Sequence, residues 1–358
     1  YTSQEELDAM EAESPGSTEG MQVGWREITE EHLPEALKGA LVNVFNVAGT
    51  LKGSKAAIYI SPNALVKNIN ILQGANIQGD IISDWNPNEI IYQNEDNRTL
   101  APMLPEGEGL TNLNINTNLR FNNDIIGGHS LVINLAEDKT FTTQTQAEVT
   151  SVMLLSDEYS GSGRSTASNQ TLAVHAINLA SNATFAANAD LTVGNGAGTI
   201  TLADNAIFSN NGTLNTLLFG NNAGTQFAGN GTANITGTVN ATLAPGYYGA
   251  DTVVNWLAEG SNTNITQNIT DITWDDPENI LSSPIFSNID ITFDSGEIHL
   301  LATRASNAYS QYADDPISAD IAKAFDLNAG TVTGDAQNLV AAIDFSDDGI
   351  ARHQNMHK

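Results

Sequence analysis

The sequence predicts an all-β chain, a right-handed parallel β-helix (a solenoid) with short helical segments at its N- and C-terminal ends. Three observations predict it. The phrase Leu179-Ala180-Ser181-Asn182-Ala183-Thr184-Phe185 recurs as Leu202-Ala203-Asp204-Asn205-Ala206-Ile207-Phe208, an L-A-x-N-A-x-F pattern offset by 23 residues. A second phrase follows each Phe: Phe185-x-x-Asn188-Ala189-Asp190, Phe208-x-x-Asn211-Gly212-Thr213 and Phe227-x-x-Asn230-Gly231-Thr232, the last offset being 19. Each phrase alternates apolar or small residues with polar ones and then turns at Asn or Gly, with no helical period. A unit of about 20 residues cannot enclose a core of its own, so it must lie on a neighbour. Stacked coils paired in parallel rise roughly 4.8 Å each. Phe185 is then expected above Phe208 inside, and Asn182 above Asn205 at a corner. Asn tolerates the left-handed backbone that a tight corner needs, and stacked amides can bond in a ladder.

The elements follow in order. Residues 1–40 read as a helical cap or the remnant of an upstream domain: Ser3 caps a short helix with Glu6 three residues on, and a second helical piece runs from Thr29 to Gly39. The β-helix is assigned to 41–245. Leu41-Val42-Asn43-Val44-Phe45-Asn46-Val47 alternates, and Ile60-Ser61-Pro62-Asn63-Ala64-Leu65-Val66 is a looser copy of the phrase. Ile69, Ile71, Ala75, Ile77 and Ile81 form the inward set after it. Residues 84–110, rich in Asn, Pro, Glu and Gly, are expected to protrude as a loop. Leu135-Ala136-Glu137-Asp138-Lys139-Thr140-Phe141 is a further copy with Asp for Asn, 44 residues before Leu179, which reads as two periods of 22. Ser156 to Ser165 reads as an exposed excursion. Tyr247, Tyr248 and Trp256 mark an end with a larger core, spanning 246–304. In 305–358, Ser318–Phe325 and Asp335–Ile343 read as amphipathic helices.

Composition narrows the function classes. The chain has 358 residues, 13 Lys plus Arg against 42 Asp plus Glu, and a net charge of −29. Such a chain repels nucleic acid and anionic membrane surfaces. Cysteine is absent, which suits a secreted chain that crosses a second membrane unfolded and equally suits a cytosolic one. No apolar run approaches the length of a membrane span.

With the coil phrases, Gly49-Thr50-Leu51-Lys52-Gly53-x-x-Ala56-Ala57-Ile58-Tyr59-Ile60 and Gly74-Ala75-Asn76-Ile77-Gln78-Gly79-Asp80-Ile81, the chain resembles the passenger domain of a Gram-negative monomeric autotransporter of type V secretion. The resemblance covers most of the chain from about 41 onward. It implies that 246–304 is a C-terminal folding and capping module, and that 305–358 is the junction before a translocator barrel the sequence lacks. Within that family the chain is similar to self-associating members and to those carrying a subtilisin-like protease ahead of the β-helix. It contains no G-T-S nucleophile motif and no matching His motif.

The sequence assigns no catalytic, cofactor-binding or metal-binding residue. His129, in Gly127-Gly128-His129-Ser130, is a turn residue without a placed nucleophile or carboxylate. Ser160-Gly161-Ser162-Gly163 lacks a strand-turn-helix setting. Asp275-Asp276-x-Glu278 lacks the spacing of a calcium loop and reads as a solvated turn. Asp138, Asp190 and Asp204 fall near coil corners and read as turn residues rather than a glycan-cleaving pair. The sequons at Asn97, Asn169, Asn182, Asn211, Asn230, Asn234, Asn240, Asn264 and Asn268 follow from an Asn- and Thr-rich composition.

The expected function is structural: a surface-exposed or secreted rod of roughly ten coils, near ~50 Å long, whose sides mediate cell–cell aggregation, biofilm formation and host adhesion. Its expected partners are copies of itself on neighbouring cells and a host surface protein or glycan, with no nucleic acid and no cofactor. The alternatives are the non-catalytic stalk of a secreted subtilisin-like protease or cytotoxin, and a glycan-cleaving β-helix.

Overall fold

The computed structural model describes residues 8, 9, 12, 40–62, 64–87, 108–143, 170–220, 222–250, 252–280, 283–294 and 297–345. The N-terminal helical pieces, the excursion at 156–165 and most of the loop at 84–110 lie outside them. Eighteen strands form one sheet and three form a second. The large sheet curls on itself, so that a strand pairs in parallel with its counterparts one coil before and one coil after. The architecture is all-β, parallel and solenoid-like.

One side of the coil is built from Phe45–Val47, Asn68–Ile71, Thr111–Ile115, the second halves of Ile125–Leu135 and Gln170–Leu179, then Thr199–Leu202 and Gln226–Gly229. A second side stacks Leu119–Arg120, Thr140–Thr142, Thr184–Ala187, Ile207–Asn210 and the start of Thr232–Leu243. The third runs from Thr50–Ile60 through Asn76–Ser83, Ala189–Val193 and Thr213–Phe219 to Asn264–Asp275. Parallel pairing thus continues to Asp275, inside the segment that the sequence assigns to the C-terminal module.

Period-2 alternation decides what each strand buries. Leu172, Leu191, Leu214 and Val239 are fully buried in one inward column. Phe185 pairs with Phe208 as expected, both fully buried, with ring centroids 5.4 Å apart and planes 8° apart. Phe141 stacks below at 4.8 Å. At the adjoining corner Asp138, Asn182 and Asn205 have φ of 59°, 59° and 58°, the left-handed region that short polar side chains tolerate. Asn182 Nδ2 donates to Asp138 Oδ1 at 3.0 Å, and Asn205 Nδ2 to Asn182 Oδ1 at 3.2 Å.

Four expectations are corrected. Phe227 is not the third copy of Phe208: it pairs with Ile200, while Phe208 pairs with Ala233. The antiparallel pairing of Leu218 with Ala223 carries the chain round to the other side before Phe227, whose ring still meets Phe208 at 5.4 Å. The 44 residues between Leu135 and Leu179 are one coil and not two, because Phe141 pairs directly with Phe185. Trp85, expected in a protruding loop, is 1% exposed and donates its indole N–H to Gly109 O at 2.7 Å. The side that begins at Thr50 is eight rungs deep among the described residues, fewer than the roughly ten expected from even spacing, because the insertions lengthen single coils.

The C-terminal end changes style. Thr252–Asn255, Phe286–Asp294 and Glu297–Arg304 form an antiparallel sheet. Tyr248 and Trp256 are fully buried. Helix α1 (Pro316–Asn328) begins with Pro at its first position behind an Asp315 cap, whose carboxylate accepts from Ser318 N at 3.0 Å. Helix α2 (Asp335–Asp344) ends at a buried Asp344, which takes Arg304 Nη2 at 2.6 Å.

Candidate interaction face

The side that begins at Phe45 carries a regular surface. Its inward residues are Ile69, Leu113, Ile133, Ile177 and Ile200 in one column and Val47, Ile71, Ile115, Leu135, Leu179 and Leu202 in another, all buried. The residue between the columns points out. From coil to coil it is Asn46, Asn70, Asn114, Asn134 and Asn178, then Thr201.

These amides form one continuous ladder. Asn70 Nδ2 donates to Asn46 Oδ1 at 2.8 Å, Asn114 to Asn70 at 2.9 Å, Asn134 to Asn114 at 3.0 Å and Asn178 to Asn134 at 2.9 Å. Asn134 also reaches Asn112 Oδ1 at 3.1 Å. A primary amide has two N–H donors and two acceptor lone pairs; Asn114 and Asn134 each donate to two neighbours, and the oxygens of Asn46, Asn70, Asn114 and Asn134 each accept from the next rung. A shallow trough of about 430 Å³ runs over Asn70, Asn114, Asn116, Asn134 and Asn178.

The outward columns of this surface are built from neutral residues. The column beside the ladder reads Ala48, Leu72, Asn116, Ala136, Ala180, Ala203 and Asn230 in successive coils. Neither it nor the ladder column holds an Asp, Glu, Lys or Arg. At its first rungs Lys67 and Glu108 neutralise each other at 3.1 Å. The third side differs: its outward column of Thr171, Asp190, Thr213, Thr238 and Asp271 carries carboxylates. There Asn215 Nδ2 donates to Asp190 Oδ1 at 2.5 Å, and Asn240 Nδ2 to Asp275 Oδ2 at 2.8 Å.

The residues weighed from sequence fall as follows. Asp138 and Asp204 lie at exposed corners, where they accept from Asn182 and Asn230. Asp190, expected at a turn, lies instead within the strand Ala189–Val193, half-buried in the acidic column, because it pairs with Thr171 and Thr213 in the parallel stack. Asp276 Oδ1 accepts from Ile280 N at 2.7 Å, closing the turn that contains Glu278. His129 sits within the strand Ile125–Leu135, at the register break between Gly127 and Val132, with Nδ1 3.5 Å from Asn195 Nδ2. Nearby His175 titrates below the ordinary His value, chiefly because burial disfavours its cation, although a Gly128 backbone bond opposes this. Among the described residues no group of His, Cys, Asp and Glu is placed to hold a metal, and no helix is long and apolar enough to cross a membrane. Asn182, Asn211, Asn230, Asn234 and Asn240, all in sequons, hydrogen-bond across coils.

Which Asn residues build this ladder was not read from the sequence. Its signal was the apolar-Asn-apolar triplet of Phe45-Asn46-Val47, Ile69-Asn70-Ile71, Leu113-Asn114-Ile115, Ile133-Asn134-Leu135 and Ile177-Asn178-Leu179. No protein-family model, curated protein or solved structure matches the chain.

Proposed function

We propose that the chain is a right-handed parallel β-helix, the passenger stalk of a Gram-negative autotransporter displayed at the cell surface or secreted. It acts as an adhesive rod for cell–cell aggregation, biofilm formation and host adhesion. The observation that carries this reading is the charge-free amide face on a chain of net charge −29. Two such rods repel wherever their carboxylates meet. Apposed through the amide faces, they keep those carboxylates apart and let the outward amide N–H and C=O groups pair between copies. Each such bond contributes about 1 kcal/mol net. One rod pair is therefore weak, and many pairs between two cells add through multivalency.

The test is settling of cells that display the chain. Two differently labelled populations form mixed clumps when both carry it, and clumping strengthens as ionic strength rises from ~10 to ~150 mM because salt screens the residual repulsion. Mixed clumps that form with the chain on one population alone, or clumping that weakens with salt, contradict homotypic pairing.

A further inference from the structure

A second surface lies near the N-terminal end of the coil, away from the amide face. Strand Thr50–Ile60 pairs with Asn76–Ser83 as Lys52↔Gln78 and then Ala56↔Asp80. Gly53, Ser54 and Lys55 therefore stand opposite Gly79 alone, and the strand bulges. Glycine is required on both sides of the bulge. A Cβ on Gly53 would lie 1.8 Å from Ala56 O, and one on Gly79 would lie 2.8 Å from Gly53 O at a φ of +132°. Bulges that need such close backbone approach re-aim side chains.

The bulge forms one wall of a groove of about 700 Å³, within the ~300–1,000 Å³ range of small-ligand sites. Arg120, Asn122, Asn123 and Asp124 from the following coils form the opposite wall. Side chains brace the walls to each other. Asp80 Oδ1 accepts from Asp124 N at 2.9 Å, Asn123 Oδ1 from Gly79 N at 3.4 Å, and Asp124 Oδ1 from Thr171 N at 2.8 Å. Gln170 Nε2 holds the carbonyl of Asn123 from behind.

The chemistry of the lining selects a ligand class. Two apolar residues, Ile77 and Ile82, stand among amides, carboxylates and cations, so the groove does not suit an apolar molecule. Lys55 and Arg120 offset Asp80 and Asp124, so the groove is neutral within a chain of −29. A phosphate or nucleic acid would meet the two carboxylates, and a metal ion the two cations. Planar amide, carboxylate and guanidinium groups each engage neighbouring hydroxyls as forked donors or acceptors. We propose that this bulge-walled groove binds a neutral oligosaccharide, a site separate from the amide face.

The test uses the intact chain on an array of neutral gluco-, galacto- and manno-oligosaccharides with oligogalacturonate alongside, followed by calorimetry with the best-retained sugar. The expected result is retention of a neutral oligosaccharide in preference to oligogalacturonate. Gln78→Ala and Asn122→Ala, both at exposed positions, should each weaken binding roughly tenfold, the loss of one or two hydrogen bonds. Asn178→Ala on the amide face should leave the affinity unchanged. Retention of no neutral sugar by the folded chain overturns the proposal. So does preference for oligogalacturonate, or indifference to both groove substitutions.

Discussion

In the coiled body the hydrogen bonds between outward side chains of the amide face join neutral groups: Asn114 to Asn70 at 2.9 Å and Asn134 to Asn114 at 3.0 Å. At the C-terminal end the corresponding contacts join charges. Arg304 Nη2 meets Asp344 at 2.6 Å, Arg304 Nε donates to Tyr309 Oη at 2.9 Å, and Tyr309 Oη donates to Asp344 Oδ1 at 2.6 Å. Arg304 also lies over the rings of Tyr247 and Phe286, 5.7 and 5.2 Å from their centroids. The difference teaches where specificity is needed. A coil stacks on any coil of the same shape, and its shape is set by the inward residues. The end closes the stack on a buried ion pair, and either partner left alone there would be a costly uncompensated charge.

The largest effect expected from breaking the body is Phe185→Ala. It opens a cavity between Phe141 and Phe208, and should cost about 3–5 kcal/mol in denaturant unfolding. Breaking the end comes next. Asp344→Asn leaves Arg304 buried without its counter-charge and should cost about 3 kcal/mol. The loss should appear as protease cleavage that begins near α1 and α2 while the coils resist.

A pH titration sharpens the comparison. The Tyr248 hydroxyl donates to Ala244 O at 2.7 Å, and burial pushes its pKa from 10.0 up to about 12. Tyr309 is raised further in the same direction, by burial first and then by Asp344. In the unfolded chain these phenols ionise near pH 10, while in the fold they stay protonated. The folded state therefore binds more protons above pH 10, and stability falls as pH rises. Between pH 10 and about 12, Tyr248 alone should contribute a slope of roughly 1.4 kcal/mol per pH unit. Tyr248→Phe should remove that component of the slope above pH 10.

The smallest effect on stability belongs to the amide face. Asn134→Ala removes ladder bonds to Asn112, Asn114 and Asn178 at a surface where water replaces them, and should cost about 1 kcal/mol.

What could be read from sequence followed the repeat. Phe185 over Phe208, and Asn182 over Asn205 at a left-handed corner, were legible because one phrase recurs and stacking forces like onto like. Phe227 was misread because the phrase after it recurs out of register. The hairpin at Leu218 and Ala223 that shifts it leaves no mark in the phrase itself. The amide ladder was hidden because insertions space its rungs unevenly: Asn70 and Asn114 are 44 residues apart, Asn114 and Asn134 only 20. The Arg304–Asp344 pair spans 40 residues of non-repeating chain, and no period connects its members.

The amide face and the acidic side of the same coils can be compared directly. Asn114→Asp with Asn134→Asp places carboxylates on the amide face, and Thr213→Asp adds one to the side that already bears Asp190. Cells displaying each variant at equal level are allowed to settle at ~150 mM salt, where charges within about 8 Å still interact. The amide-face variant is expected to stay dispersed and the Thr213→Asp variant to settle like the original chain. Settling by the amide-face variant, or dispersal by both alike, contradicts adhesion through the amide face.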